Sequence, residues 1–405
     1  MSIECKSILL TGGRAFVTLD LARQFARHGH RVVVAESVFI HLCRYSRCVK
    51  KNYLVPRPNT DPTAYIDTLL DIIQQEKIDQ LIPTCEEIFF IAQGLDRIRE
   101  HCSVFVASLE QMQRLHSKWD FIQCASRHGL LVPDTHLLTS HDDLEQFLAN
   151  NHRPFVLKPV YSRFATKVIR VDNTQQPQCL LDHVTISENY PWVAQELLNG
   201  QAFCTYSIAS SGRLLAHAVY PVTYTADLGA CIYFEPVEHP DIDQWVSRFI
   251  QQEHFSGQIA FDIIVTPAGT VYPIECNPRA TSGIHLFQAK DQLHTACLLQ
   301  QGHSEKVLKP RPEVRGMIAL AMVVYGLPAI RSWSHFRDWL HKFLHARDVI
   351  FDANDIKPFL YQPLILWYNW QASRKGCLSI QEFSTVDIEW NGPEVSTLPQ
   401  KEMCL

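Results

Sequence analysis

The stretch over residues 258–286, QIAFDIIVTPAGTVYPIECNPRATSGIHL, narrows what this chain can fold into more than any other. Ile259, Phe261, Ile263 and Val265 alternate with other residues, Pro267-Ala268-Gly269 make a turn, and residues 271–274 run back. That pattern predicts a β-hairpin. It puts Asp262 on the first strand, with Glu275 and Asn277 at the end of the second. Two carboxylates and an amide oxygen delivered by paired strands are a hard donor set, of the kind Mg²⁺ accepts while keeping positions for water and phosphate. Arg279 follows two residues later, where a planar guanidinium can clamp a phosphate oxygen. One acidic residue alone would read as solvated surface. Four such groups on one hairpin, with Pro278 stiffening the exit, read as a site.

Composition sets the class of protein around that hairpin. A chain of 405 residues suggests two or three packed units with ample cores. Hydrophobic residues at 46% and charged residues at 20% are those of an ordinary globular protein. A net charge of −5 argues against a general nucleic-acid surface. The longest apolar runs, 318–327 and 359–367, are too short for a bilayer, so no membrane partner is expected. Glu4 and Lys6 precede only a short apolar strand, unlike a signal peptide. The thirteen cysteines lack CxxC pairs and finger spacing, so neither zinc nor a disulfide framework is expected, and the expected compartment is the reducing cytoplasm.

Residues 1–110 read as a first unit. Residues 7–10 form an apolar strand ending at Gly12-Gly13-Arg14; residues 19–28 carry apolar groups at helical spacing; residues 30–35 form a second strand. This is a βαβ unit. Its glycines lack the G-x-G-x-x-G spacing that lets a backbone approach a pyrophosphate, so a nicotinamide cofactor is only an alternative, kept open by Glu36. A helix over 65–75 leads to a strand at 80–83 and then to Thr84, Glu86 and Glu87. Ligands of parallel sheets bind beyond the carboxyl ends of strands, which makes Glu86 and Glu87 substrate candidates. A helix start is the competing reading, since acids suit a helix N-terminus.

Residues 111–300 read as the unit that contains the hairpin. Residues 108–128 read as one helix containing Lys118, and residues 152–159 as a strand presenting Lys158. A polar loop over 161–167 leads into a strand at 168–171. Residues 192–200 read as a strand and turn, and 205–220 as another hairpin. Tyr233 precedes the metal hairpin, and Ser282 and His285 follow it. Beyond 301 the character changes to mixed and helical segments rich in Trp, Tyr and Phe, closing on Asp387-Ile-Glu-Trp-Asn-Gly. This extension is expected to pack on the core or cover the acceptor pocket, with a disordered tail from about Gly392.

With those residues in view, IECNPR resembles the metal-binding end of the ATP-grasp superfamily, which includes carbamoyl-phosphate synthase, D-alanine:D-alanine ligase and biotin carboxylase. The resemblance extends from about residue 7 to about residue 290. It implies an α/β chain with α+β elements. A parallel βαβ pre-ATP-grasp domain at 1–110 would precede a two-lobed ATP-grasp fold at 111–300, its hinged lid at about 130–198, and a C-terminal extension at 301–405. It implies that Asp262, Glu275 and Asn277 hold Mg²⁺, or Mn²⁺ in its place, and that Arg279 and Lys158 act on the transferred phosphoryl group. Lys118 and Lys158 would contact ATP phosphates, as would Ser162, Arg163, Thr166 and Lys167 of the lid, with Glu196 and the backbone of Leu197 and Leu198 against adenine. Glu86, Glu87, Tyr233, Ser282 and His285 would line the acceptor pocket, His285 as a candidate base.

The sequence departs from the family at three points. Ser282 replaces a second arginine of carbamoyl-phosphate synthase, the lid loop has no glycine, and Ala202 replaces the ribose-binding glutamate, beside Gln201. The reaction so implied joins a small carboxylate to an amine, such as an amino acid, through an acylphosphate, releasing ADP and phosphate. A homodimer is common in the family. The alternatives are a bicarbonate-using carboxylase or carbamoyl-phosphate-type enzyme and a non-catalytic nucleotide-binding module.

Overall fold

The structure is a computed structural model and describes residues 5–162, 168–171, 184–226, 229–298, 306–376 and 379–392. Its first layer is a parallel sheet in the order β3-β2-β1-β4-β5, made of β1 (Ser7–Thr11), β2 (Arg31–Glu36), β3 (Lys51–Leu54), β4 (Gln80–Ile82) and β5 (Ser103–Val104). The near-continuous apolar runs of its inner strands follow from burial on both faces. With a side-chain period of two, Leu9, Val33 and Leu81 enter one core, while Ile8, Leu10, Val32, Val34 and Ile82 enter the other. The helix Pro62–Glu76 starts where Asp61 accepts from the Ala64 amide (2.9 Å), and ends at left-handed Lys77.

The sequence predicts one helix over 108–128, but the structure has two. Leu109–His116 stops at Ser117, whose extended backbone and hydroxyl cap a new helix, Lys118–Arg127, by accepting from the Asp120 amide at 3.1 Å. A serine cap inside an amphipathic run competes with helix continuation and wins here. The break makes Lys118 the first residue of the second helix.

A small lobe follows, an antiparallel sheet in the order β6-β9-β7-β8, from β6 (Thr135–Leu138), β7 (Phe155–Pro159), β8 (Ile169–Val171) and β9 (Trp192–Glu196). It has a core of its own, with Leu138, Leu144, Phe155, Leu157 and Trp192. The large lobe is the antiparallel sheet β11-β10-β15-β16, from β10 (Gln201–Ser210), β11 (Arg213–Pro221), β15 (Gly257–Val265) and β16 (Val271–Asn277). Ile259, Phe261 and Ile263 point from it into a core shared with Phe121, Trp245 and Phe249, the last two rings stacked at 5.3 Å. Between β11 and β15 lie the short strands β12 (Thr225–Ala226), β13 (Ala230–Cys231) and β14 (Tyr233–Phe234).

The C-terminal region is joined to this body by sheet pairing. β17 (Gly316–Met317) pairs antiparallel with β14 and parallel with β18 (Arg347–Asp348). Buried Arg23 fixes the same region, donating to Asp355 Oδ2 (2.9 Å) and to the carbonyls of Val349, Ile350 and Asp355. Residues 393–405, where the disordered tail was expected, lie outside the described residues. Among the described residues no helix is long and apolar enough to cross a membrane, and none of the described cysteines is in a disulfide.

Candidate active site

The hairpin predicted at 258–286 forms as β15 and β16, and its register decides which side chains share a face. Asp262 pairs directly with Glu275, and Ala260 with Asn277. Directly opposed residues share a face, as do residues two apart on one strand. Asp262, Glu275 and Asn277 therefore project together, away from the core that takes Phe261 and Ile263. A bulge follows between Asp262 and Ile263.

Three cationic groups, from β7, the helix Lys118–Arg127 and the segment after β16, meet these three. Buried Lys158, near the end of β7, reaches out of the small lobe and donates to the Ile274 carbonyl of β16 and to Gln195 Oε1 of β9, both at 2.9 Å. Lys118, buried at its helix start, donates to the Ser162 carbonyl (3.1 Å) and stands 3.8 Å from Glu275 Oε2. Arg279 donates through Nη2 to Asn277 Oδ1 at 3.2 Å, which fixes the amide oxygen. Its buried Nε–H has no hydrogen-bond acceptor among the described residues; the nearest carboxylate, Glu86 Oε1, is 3.7 Å away.

The electrostatics of the cluster are unbalanced. Burial, and then the facing Glu275 charge, push the Asp262 carboxyl up to about 6, against opposing contributions from the Cys204 thiol, Arg279 and Lys158. Burial, and then the Lys118 charge, bring Lys158 down to about 8. Two carboxylates pressed together with only a 3.8 Å contact from a lysine suit a divalent cation. The donor set of two carboxylate groups and one carboxamide oxygen, beside an orphaned guanidinium N–H, fits Mg²⁺ carrying a phosphate chain.

The other predicted residues are placed as follows. Glu196 ends β9, on the link between the lobes, and its amide donates to the Asp134 carbonyl at 2.8 Å. The Leu197 amide donates to the Pro154 carbonyl at 3.1 Å, and Leu198 lies half-buried beside it. Ser162 contributes its carbonyl to Lys118, whereas Arg163, Thr166 and Lys167 lie outside the described residues. Glu86 is fully buried and stands beside Arg279.

Four residues sit apart from the cluster or are engaged elsewhere. Glu87 accepts from Thr11 Oγ1 (2.7 Å) and from the Thr84 and Cys85 amides (both 3.1 Å), so it ties β1 to the segment after β4. Tyr233 donates to Glu235, which pairs with Arg315 of the C-terminal region. Ser282 opens a short 3₁₀ turn, and fully buried His285 within it pairs through Nδ1 with Asp20 of the helix Phe16–Arg27 at 2.7 Å. Burial raises the Asp20 carboxyl, but Arg347 and His285 outweigh it and bring it down to about 2.

Sequence reasoning missed Gln195 and Cys204, and it expected the C-terminal region to pack on the core or cover the acceptor pocket without naming Asp387 or Trp390 as the residues that reach Arg14 and Glu86. Gln195 precedes Glu196 on a strand whose alternation turns it to the Lys158 side, a signal open to reading. Cys204 faces Asp262 across β10, which only the register discloses.

No family model matches the sequence, and no curated protein matches it either. Solved structures do match. An L-amino acid ligase from Bacillus licheniformis superposes with a TM-score of 0.60 at 16% identity, over 76% of this chain and 78% of that one. An N5-carboxyaminoimidazole synthetase from Staphylococcus aureus, complexed with ADP, superposes with 0.59 at 16% identity, over 76% and 80%. A biotin carboxylase from Campylobacter jejuni, in a β-γ-ATP complex, superposes with 0.60 at 13% identity, over 77% and 74%. The chain has the ATP-grasp fold. In this ATP-grasp fold the hairpin face, the two lysines and Arg279 lie at the meeting of the small and large lobes.

Proposed function

We propose that the protein is an ATP-dependent carboxylate–amine ligase, forming an amide or peptide-like bond through an acylphosphate and releasing ADP and phosphate. The observation that carries this reading is the convergence of Asp262, Glu275 and Asn277 on one hairpin face, ringed by Lys118, Lys158 and Arg279. Asp262, Glu275 and Asn277 would hold Mg²⁺, which supplies neutralisation of the charge on the phosphoryl oxygens.

Lys158 and Lys118 would bind the phosphate chain, and Lys158 also couples nucleotide binding to the approach of the lobes, because it bridges β7 and β16. Arg279 offers its free Nε–H to an oxygen of the transferring group. The link at Glu196, Leu197 and Leu198 would seat adenine. Approach of the lobes excludes water from the site, which protects an acylphosphate from hydrolysis. The named relatives by fold include both a ligase and carboxylases or synthetases, so bicarbonate is the competing acceptor.

The test is a phosphate-release screen with Mg·ATP over amino acids and small carboxylic acids in pairs, with a bicarbonate arm and mass detection of products. Acceptor-dependent release with an amide product supports the ligase. Release with bicarbonate and no amine replaces it with the carboxylase reading.

A further inference from the structure

In an open parallel sheet the crevice beyond the carboxyl ends of the strands, where strand order reverses, is where ligands bind. Here the reversal falls at β1, with β2 on one side and β4 on the other. That crevice is filled by the chain's own residues 384–392. Asp387 lies against Arg14 with Oδ1 2.6 Å from Nη1 and Oδ2 2.8 Å from Nη2, and accepts from Ser37 Oγ at 2.6 Å. Arg14 also donates to the Ser384 carbonyl at 3.0 Å and pairs with Glu36. The Asn59 amide donates to the Asp387 carbonyl at 3.2 Å. Glu36, the acid that would read a ribose, is thus taken up by Arg14, which speaks against a nicotinamide site.

The segment then runs towards the reaction centre. The Trp390 amide donates to Glu86 Oε2 at 3.2 Å, and the other oxygen of that carboxylate is the one beside Arg279. The indole stacks on Phe89 (5.5 Å, 14°) and meets Phe90 edge-on, so it is 7% exposed. Its N–H has no acceptor among the described residues. Gly392 closes on Tyr161, the first residue of the lid loop; a Cβ at Gly392 would come within 2.9 Å of that ring. One short stretch therefore spans from the N-terminal sheet, past Glu86 and Arg279, to the small lobe.

We propose that residues 384–392 are the inner wall of the acceptor compartment. Arg14 and Asp387 latch the wall, Trp390 backs Glu86, and Gly392 abuts Tyr161. The acceptor then lies on the Glu86–Arg279 side of the segment and not in the sheet crevice. The wall limits acceptors to small molecules and keeps water from the γ-phosphate. Trp390 and Arg14 are positioning residues in this account, which rests on the ligase reading above.

The test uses the full-length chain and the variants Trp390→Ala, Arg14→Leu and Asp387→Asn, with Trp390→Phe and Arg14→Lys as conservative controls. Calorimetry with Mg²⁺ and AMPPNP is expected to give affinities within twofold of the wild type throughout. ADP release from Mg·ATP without acceptor is expected to rise at least fivefold in Trp390→Ala and Arg14→Leu, less in Asp387→Asn, and to stay within twofold in the controls. With an acceptor from the screen, KM for it is expected to rise at least tenfold while kcat changes less than threefold. Unchanged acceptor-free ADP release overturns the wall, and so does nucleotide affinity falling in step with acceptor KM. A wild-type chain that does not bind AMPPNP overturns the ligase reading itself, before any variant is compared. The acceptor-free measurement needs no identified substrate, so it decides the wall even where the screen is silent.

Discussion

The two ends of the helix Lys118–Arg127 carry opposite kinds of charge cluster. At its C-terminal end Glu253 accepts from His128 Nε2 (2.6 Å) and the Cys124 thiol (2.8 Å), and pairs with Arg114. Burial alone would raise that carboxyl; the hydrogen bonds outweigh it and bring it down to about 2. Every oxygen is matched, and the network ties three helix ends together. At the N-terminal end Lys118 approaches Glu275 only to 3.8 Å, and Asp262 beside it is driven up to about 6. The first cluster is complete without anything added. In the second, three cations stand around the two carboxylates, yet the nearest cationic contact to Glu275 is 3.8 Å, which leaves the carboxylate oxygens open to a ligand. Buried charge that is fully hydrogen-bonded serves the fold, whereas buried charge left without close hydrogen-bond partners marks a candidate ligand site.

Substitutions at the two ends should therefore fail in different ways. Glu275→Gln is expected to lose ATP turnover by about 10³-fold, the scale of removing a group that stabilises transferring charge. Its stability should change by less than about 0.5 kcal/mol, as for a substitution that breaks no completed network. Steady-state ADP release and urea unfolding check the two halves. Lys158→Met should weaken AMPPNP binding by roughly 10–100-fold, about the value of one or two charge-assisted hydrogen bonds. Calorimetry reads it. Glu253→Gln should instead lower stability by about 2 kcal/mol, since it leaves buried donors unmet. Turnover per folded molecule should be unchanged.

The smallest effect is the most diagnostic of the contrast. Glu253 has a folded value below its ordinary one, so its contribution to stability is present above about pH 4.5 and is lost as pH falls towards about 2. Asp262 has a folded value above its ordinary one, so in metal-free protein its contribution has the opposite sign. It favours the folded state below about pH 4 and is lost as pH rises through about 6. In EDTA, urea midpoints followed from pH 3 to pH 7 should flatten between pH 4 and 6 in Asp262→Asn, and flatten only on the acid side in Glu253→Gln. Identical profiles for the two variants would erase the distinction.

Much of this was legible in the sequence because the informative groups lie on one hairpin. Strand alternation with a Pro-Ala-Gly turn puts Asp262, Glu275 and Asn277 on one hairpin, but the bulge between Asp262 and Ile263, which the sequence does not announce, is what turns Glu275 to the face of Asp262; the register of the turn continued would oppose it to Phe261. The buried runs of β1, β2 and β4 likewise announced a parallel sheet. What could not be read depends on contacts between distant residues. Asp387 meets Arg14 across 373 positions and Trp390 meets Glu86 across 304, and no local periodicity encodes such pairings. The break at Ser117 was hidden because the apolar spacing runs through it, although the serine–aspartate cap was there to be seen. His285 read as a candidate base from its position after Arg279, but its partner Asp20 lies on the first helix.

The most direct measurement is calorimetric titration of AMPPNP into the full chain, with Mg²⁺ and then in EDTA, for wild type, Asp262→Asn and Glu275→Gln. One nucleotide per chain is predicted for the wild type, with affinity falling at least about 100-fold without the cation, on the order of the two or more kcal/mol that metal-bridged phosphates contribute. Both variants should bind with the weak, cation-independent affinity. Tight binding that ignores both the cation and the two carboxylates would contradict the account.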